Sequence, residues 1–196
     1  MKLSRRHFLS SSAALVGVSA LGTLCTRTRA QEAGASLQAP LADSPTAAVR
    51  RLVLRNVHTE ESLDVEYMRN GCYVSESLVR LEVLLRDFRT GDRHAMDPAL
   101  FDILHAVAGR LGADPEFHVI SGYRSPQTNA LLHERSSGVA ARSLHVEGRA
   151  IDVRLARVDC AALASTGLEL ARGGVGYYRS SDFVHLDTGA VRRWRG

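Results

Sequence analysis

An aspartate interrupts an apolar strand pattern in the second half of this chain. In the segment AIDVRL, residues 150–155, apolar side chains alternate with Asp152 and Arg154. Because successive side chains of a strand point to opposite faces, the segment predicts a strand with one apolar and one polar face. The apolar face has to be covered by a hydrophobic core. Asp152 is explained either by contact with water or by a functional role.

The surrounding segments predict both helices and strands. Apolar periodicity with proline or glycine boundaries predicts four helices, at residues 78–88, 97–111, 126–136 and 160–172. Strand patterns occur at residues 51–57, 64–68, 117–121 and 183–187, with a further candidate at 175–178. Because the two kinds of element do not alternate regularly, we expect an α+β fold with a mainly antiparallel central sheet and flanking helices.

The N-terminal residues 1–30 predict a secretory signal peptide of the twin-arginine type. Arg5 and Arg6 precede a moderately apolar run, and Ala30 supplies a small residue before a cleavage point. Residues 31–50 are rich in Ala, Ser and Pro and predict a flexible linker, which leaves residues 51–196 as the folded domain. We therefore expect a periplasmic protein, exported by the twin-arginine pathway, with no stable membrane span after signal cleavage.

The net charge of +4 does not indicate a nucleic-acid partner. Residues 1–30 contain five of the 25 basic side chains and none of the 21 acidic ones, so 20 basic and 21 acidic side chains remain. A nearly neutral domain lacks the basic surface that binds polyanions. We expect a monomer that binds no nucleic acid.

The last residues of the chain, Arg192–Arg195, form a basic tail that either contacts an anionic glycan or frays.

Two cysteines follow the predicted signal peptide, Cys72 and Cys160. An oxidising compartment permits a disulfide between them, but two distant cysteines do not define one. The alternative is a pair of small apolar side chains in the core. The sequence has no CxxC pair that would indicate a thiolate zinc site.

A second predicted strand carries a histidine that can bind a metal together with Asp152. In the segment FVHLD, residues 183–187, His185 and Asp187 share one strand face, so the carboxylate can orient the imidazole. Together with His145 and Asp152, His185 completes a set of two nitrogen donors and one oxygen donor. This set suits a catalytic Zn²⁺, for which three protein ligands leave a fourth position for water. The sequence thus predicts one zinc ion per chain, bound on the sheet.

Taken together, these motifs resemble those of a known peptidase superfamily. The pattern Ser143-x-His145-x-x-Gly148-x-Ala150-x-Asp152, followed by FVHxD, is similar to the zinc peptidases of the D-alanyl-D-alanine carboxypeptidase and Hedgehog-domain superfamily. Within it, the chain looks most like the periplasmic murein endopeptidase K-like branch. The stretches that fit this branch are LLRDxRTG at residues 84–91, SGYRSPxTN at 121–129 and GGVGYY at 173–178.

The resemblance implies roles for individual residues. It implies His145, Asp152 and His185 as the zinc ligands, and Arg124 as the residue that binds substrate and stabilises developing negative charge. A guanidinium suits that role because it keeps its charge and offers a planar fork of donors. Ser143 is expected at the substrate-binding site, with a positioning role.

The general base is the residue that the resemblance defines least. In carboxypeptidase members of the superfamily, a glutamate stands three residues before the last histidine ligand, and this chain has Asp182 there. Asp182 can accept a proton from the attacking water. Asp187 is the alternative base, although its position behind His185 suits an orienting role better.

The function implied is an exported, zinc-dependent murein endopeptidase that hydrolyses peptide cross-links between peptidoglycan stem peptides during cell-wall remodelling. Two alternatives stay open on the sequence. The first is a carboxypeptidase that trims terminal D-alanine from stem peptides with the same metal site. The second is a wall-binding domain that contains zinc without catalysis.

Overall fold

The computed structural model describes residues 48–112, 116–136 and 139–196, so the predicted signal peptide and nearly all of the predicted linker lie outside the described residues. Four helices occur within these ranges: α1 (Ser75–Leu84), α2 (Pro98–Leu111), α3 (Pro126–Arg135) and α4 (Cys160–Leu170). Eight strands accompany them: β1 (Val49–Asn56), β2 (Ser62–Arg69), β3 (Cys72–Tyr73), β4 (Glu116–Ser121), β5 (Ala150–Leu155), β6 (Gly174–Tyr178), β7 (Phe183–Asp187) and β8 (Arg192–Arg195).

The strands form one mixed sheet in the order β3-β2-β1-β4-β5-β7-β6-β8. Five of its pairings are antiparallel, but β1 pairs with β4 and β6 pairs with β8 in parallel. The α+β class is confirmed, and the sheet is mainly antiparallel as predicted but mixed, because two of its seven pairings are parallel. Parallel strands need a long crossover, and α1 and α2 provide it between β1 and β4. Local strand patterns cannot reveal such a pairing.

One face of the sheet carries the hydrophobic core. Helices α1, α2 and α4 contact the strands, and α2 also contacts α4. In β5, the fully buried Ile151 and Val153 belong to this core, while Asp152 points to the opposite face. Burying a Leu, Ile or Phe side chain contributes about 1.5–3 kcal/mol, so this one-sided core fixes which face of the central strands is free for chemistry.

The helix boundaries follow side-chain capping in α2 and α3. Asp97 accepts a hydrogen bond from the Ala99 N–H, and Ser125 accepts one from Thr128, as expected for a cap followed by proline. The longest described helix, α2, has 14 residues, and no described helix combines the length and apolarity required to span a bilayer. Helix α1 ends at Leu84, four residues before the predicted end, because the chain turns there into the loop around Asp87.

The two cysteines are free thiols. Cys72 is exposed in β3, and Cys160 is buried at the start of α4. Burial, reinforced by the neighbouring Asp182 carboxylate, raises the pKa of the Cys160 thiol to about 12. Cys160 therefore behaves as a small apolar core residue, and the structure contains no disulfide between the two.

Candidate metal centre

Strand register brings two of the predicted ligands together. In the antiparallel pair β5–β7, Asp152 lies directly opposite His185 on the sheet face away from the core. His145 reaches the same point from the turn that precedes β5, where its carbonyl accepts a hydrogen bond from the Arg124 N–H. All three side chains are buried, with 2 %, 7 % and 8 % of His145, Asp152 and His185 exposed.

The three side chains meet through one atom each. His185 Nδ1 lies 2.8 Å from Asp152 Oδ1, and His145 Nε2 lies 3.2 Å from both of these atoms. The ligands of a tetrahedral zinc ion, bound at about 2.0–2.1 Å, are separated by about 3.3 Å. The observed triangle is close to that size. His145, Asp152 and His185 therefore fit a metal ion, and the chain contributes a candidate metal-binding triad.

The outer hydrogen bonds of the two histidines fix which ring nitrogen faces the triad. His145 Nδ1 lies 2.7 Å from the Gly122 carbonyl, and His185 Nε2 lies 3.0 Å from Asp187 Oδ2. Because both partners are acceptors, these nitrogens carry hydrogens, and each ring in its neutral form presents a lone pair at the opposite nitrogen. Two lone pairs and a carboxylate oxygen then converge. Such a cluster of acceptors suits a cation at the point where they meet.

Electrostatics at the triad also favour positive charge. Burial alone would raise the pKa of Asp152, but contact with His145 and His185 outweighs it and holds that pKa well below its usual range. Burial lowers the pKa of His145. Burial also lowers the pKa of His185, but hydrogen bonds with Asp152 and Asp187 outweigh this and raise it to about 9. The buried Asp152 is thus ionised, and the point where the three side chains meet stabilises positive charge.

Asp187 is held in place by donors on every side. It accepts backbone N–H bonds from Gly174 (3.0 Å) and Gly189 (2.8 Å), and Arg192 binds both of its oxygens at 3.1 and 2.7 Å. Although burial opposes ionisation, these bonds and the one with His185 keep the pKa of Asp187 far below normal. Asp187 thus lies in the position that the orienting role requires, with one oxygen 3.0 Å from His185 Nε2.

The LLRD motif positions the segment that carries Arg124. The Leu85 carbonyl accepts a hydrogen bond from the Tyr123 N–H, and Asp87 Oδ2 accepts one from the Ser125 N–H at 2.9 Å. Burial raises the pKa of Asp87, but hydrogen bonds from Thr128, Ser125 and the Arg89 backbone outweigh it and lower that pKa to about 2. Asp87 is therefore an ionised buried side chain that anchors the residue after Arg124 to the loop after α1, and the Leu85 carbonyl anchors the residue before it.

Glycine at residue 122 allows this close approach. A Cβ atom there would lie 2.5 Å from the Leu85 carbonyl oxygen and 2.8 Å from its Cβ. Because the Gly122 carbonyl also binds His145, the same contact connects the LLRD loop to a candidate metal ligand. The LLRD motif and the SGYRS motif thus pack together and support the site.

A cavity of about 350 Å³ opens beside the triad. Arg124 lines it and is only 8 % exposed, with weak contacts to Asn129 Oδ1 (3.3 Å), Ser121 Oγ (3.4 Å) and Asp152 Oδ2 (3.6 Å). Its buried Nε has no partner within the described part of the chain. Burial lowers the pKa of Arg124, partly offset by Asp152, yet a guanidinium stays charged. The cavity therefore contains a cationic group with unused hydrogen-bonding capacity.

Of the remaining predicted site residues, Ser143 lies at the cavity and Asp182 lies away from it. Ser143 lines the cavity, and its hydroxyl accepts a long hydrogen bond of 3.4 Å from the His145 N–H. Asp182 is not among the cavity-lining residues: its side chain is 69 % exposed, and its carboxylate lies 3.7 Å from Arg154. The triad, Arg124, Ser143 and Asp187 thus come together, and Asp182 stands apart from them.

Two aromatic residues of the cavity were missed as site residues by the sequence reasoning. Trp194 of β8 and Tyr178 of β6 both line the cavity, and the indole ring centre lies 5.1 Å from that of His185. The sequence analysis places Trp194 in a basic tail that contacts a glycan or frays. The sequence feature that indicates its position is Gly176 in the GGVGYY motif, since a glycine inside a strand marks the close approach of another group.

Comparison with known proteins gives consistent matches. The protein family described as peptidoglycan L,D-endopeptidase MepK matches residues 44–194. The peptidoglycan L,D-endopeptidase MepK of Escherichia coli strain K12 is 39 % identical over 167 residues, which cover 82 % of this chain and 92 % of the relative. A probable peptidoglycan L,D-endopeptidase MepK of Haemophilus influenzae is 43 % identical over 157 residues, or 80 % of this chain and 84 % of the relative.

Proposed function

The chain belongs to the MepK family of peptidases, and we propose that it is a murein endopeptidase that hydrolyses peptide cross-links of peptidoglycan. The observation that carries the proposal is the convergence of His145, Asp152 and His185 beside a cavity that also contains the buried Arg124. A metal site next to a cationic anion-binding group is an arrangement suited to amide hydrolysis.

We propose Zn²⁺ as the metal, one ion per chain, held by these three residues. Two imidazole nitrogens and one carboxylate oxygen are donors that zinc accepts at catalytic sites. When bound, zinc supplies Lewis acidity toward water and toward a peptide carbonyl. The chain's own contribution is to keep Asp152 ionised and both imidazoles in the required tautomers, through Gly122 and Asp187.

Arg124 acts on the substrate in this proposal. Its guanidinium contacts Asn129 and Ser121, and Arg124 lines the cavity beside the triad. A substrate oxygen that becomes negatively charged during hydrolysis would be stabilised there by charge and by N–H donors. Ser143 supports the turn that carries His145 and offers a hydroxyl to a bound peptide.

The bond we propose as substrate follows from stereochemistry. The relatives are named L,D-endopeptidases. A link between two diaminopimelates joins an L centre to a D centre, whereas a link between D-alanine and diaminopimelate joins two D centres. We therefore propose that the chain cleaves the diaminopimelate–diaminopimelate cross-link.

Digestion of two purified muropeptide dimers tests the function. We expect the zinc-loaded protein to convert the dimer with a diaminopimelate–diaminopimelate link to monomers, and to leave the D-alanine–diaminopimelate dimer intact. Mass spectrometry of the products separates the alternatives. Release of free alanine with both dimers intact would establish a carboxypeptidase, and no change in either dimer would favour a wall-binding domain.

Asp182 is the proposed proton acceptor, and a substitution decides the assignment. Its support is positional: it precedes His185 by three residues, and its neighbours Ser181 and Phe183 line the cavity. Its carboxylate instead faces Arg154. If Asp182 is the base, Asp182→Asn lowers kcat by about 10²-fold or more at unchanged zinc content, because general bases contribute about 10²–10⁴-fold. A kcat within threefold of the parent would assign Asp182 to the surface pair with Arg154.

The cellular location belongs to the same proposal. We propose that residues 1–30 direct export by the twin-arginine route, that residues 31–50 link the signal to the domain, and that the monomeric domain acts in the periplasm, where its substrate lies. Arg5 and Arg6 before an apolar run support this. Fractionation of cells that express the full chain checks the location.

A further inference from the structure

The last strand of the chain brings a tryptophan into the cavity. Strand β8 pairs in parallel with β6, and Trp194 lies beside Gly176 in the register. A Cβ atom on Gly176 would lie 2.5 Å from the indole ring, so the missing side chain leaves the space that Trp194 fills. Trp194 therefore covers the sheet face next to His185, which is the register partner of Gly176 on β7.

Trp194 holds a tyrosine hydroxyl by a hydrogen bond of known direction. The indole Nε1 lies 2.9 Å from the Tyr178 hydroxyl oxygen. An indole N–H is a donor only, so the phenol oxygen accepts this bond and its own hydrogen points elsewhere. Phe183 stacks on the Tyr178 ring with 4.5 Å between ring centres and 14° between planes, which fixes the plane in which the hydroxyl lies.

The hydroxyl hydrogen of Tyr178 has no acceptor in the described parts of the chain. Tyr178 lines the same cavity as Arg124 and the metal triad. The cavity thus has two donors with unused capacity, the guanidinium of Arg124 and the hydroxyl of Tyr178. Both suit an oxygen acceptor, such as a carboxylate or a carbonyl of a peptide.

We propose that Tyr178 is a substrate-binding residue that donates its hydroxyl hydrogen to an oxygen of the bound muropeptide, and that Trp194 is the positioning residue that directs this hydroxyl. This inference rests on the proposed endopeptidase function and names a contact within it. The C-terminal strand β8 is then a part of the substrate site, and Gly176 is the residue that makes room for it.

The main test compares Tyr178→Phe with Tyr177→Phe in the zinc-loaded enzyme. Tyr178→Phe keeps the ring stack and removes only the hydroxyl, whereas Tyr177 neighbours it on the other face of β6 and serves as the matched control. We expect Tyr178→Phe to raise KM for the cross-linked dimer by about tenfold or more, the loss of one hydrogen bond to a polar or charged group. Tyr177→Phe should stay within twofold. Zinc content and Tm should be unchanged in both.

A binding measurement gives a readout apart from turnover. Trp194 is the only tryptophan in the sequence, and it lines the cavity, so its fluorescence reports on occupancy there. Titration with the product monomer should give a saturable emission change, with a dissociation constant raised about tenfold by Tyr178→Phe. A parent enzyme that cleaves and binds, together with equal constants for both tyrosine variants, would overturn the inference alone. A parent that neither cleaves nor binds muropeptides would overturn the proposed function and this contact with it.

A double-mutant cycle tests the positioning role of Trp194. Trp194→Phe retains an aromatic ring over Gly176 but cannot donate to Tyr178, so we expect it to raise KM in the same direction as Tyr178→Phe. If Trp194 acts only through the hydroxyl, the double variant will be no worse than Tyr178→Phe alone. Additive effects on KM would contradict the positioning role, because a purely structural contribution of Trp194 does not depend on the Tyr178 hydroxyl.

Discussion

Replacing His185 with alanine is expected to remove both the bound zinc and the peptidase activity. The substitution deletes one of three donors and leaves Asp187, which is fully enclosed, without its imidazole partner. Lewis acidity accounts for several kcal/mol of transition-state stabilisation, so we expect a fall in kcat/KM of about 10³-fold or more. Elemental analysis after dialysis should give close to one zinc per chain for the parent and less than about a tenth of that for His185→Ala.

His118→Ala is the matched control for this experiment. His118 lies on β4 of the same sheet, with 36 % of its side chain exposed and no neighbour from the triad. We expect it to retain both zinc and activity within twofold. Circular dichroism has to show that His185→Ala is folded. A folded His185→Ala protein that still binds one zinc or still cleaves the dimer would show that the triad is not the metal site.

The two strands that carry Asp152 and His185 could be predicted because a polar side chain interrupts the apolar pattern of each. Asp152 and His185 each stand between apolar side chains that the core requires, so the strand bounds at residues 150–155 and 183–187 agree with the structure. What local patterns could not supply was the register that sets Asp152 opposite His185. The donor types and the resemblance of the spaced motifs to a known family predict that these residues act together, but not the register that brings them together.

Strand β8 could not be predicted from its own residues. Three arginines and one tryptophan show no apolar alternation, and the strand exists because its backbone pairs with β6 and its indole fills the space beside Gly176. Contacts with the partner strand stabilise β8, and the periodicity of its own residues does not show such contacts. The same reason explains why the role of Trp194 emerged only from the packed structure.

Side-chain direction sets the other limit, and Asp182 illustrates it. Its distance from His185 in sequence is that of a proton acceptor, but its backbone has a φ of 50°, in the left-handed region. Its carboxylate lies near Arg154 and the Cys160 thiol. Spacing along a chain gives the position of a Cα atom, and a turn of one residue before a strand redirects the side chain.

Replacing Arg124 with methionine is expected to abolish most activity without destabilising the fold. Arg124 is a buried cation whose nearest contacts are long, and its Nε has no partner in the described residues. A poorly paired buried charge costs stability, so an apolar side chain of similar length should leave the free energy of unfolding unchanged or raise it. Removing a group that stabilises developing negative charge lowers kcat by about 10²–10³-fold.

Conservative substitution separates charge from geometry at this position. Arg124→Lys keeps the charge but loses the planar fork that contacts Asn129 and Ser121 together, so we expect it to recover less than about a tenth of the parent kcat. Arg110→Lys, an exposed change in the last turn of α2, is the control and should have no effect. Zinc content should stay at the parent level in all three variants, since Arg124 donates no metal ligand.

The combination of lost activity and retained stability distinguishes a functional arginine from a structural one. If Arg124 only braced the segment after β4, Arg124→Met would lower Tm and kcat together, and Arg124→Lys would restore both. A Tm that falls by several degrees with kcat nearly unchanged would assign the guanidinium to the fold. Asp87 and the Leu85 carbonyl already hold the backbone around Arg124 without its side chain. We therefore expect lost activity with retained stability.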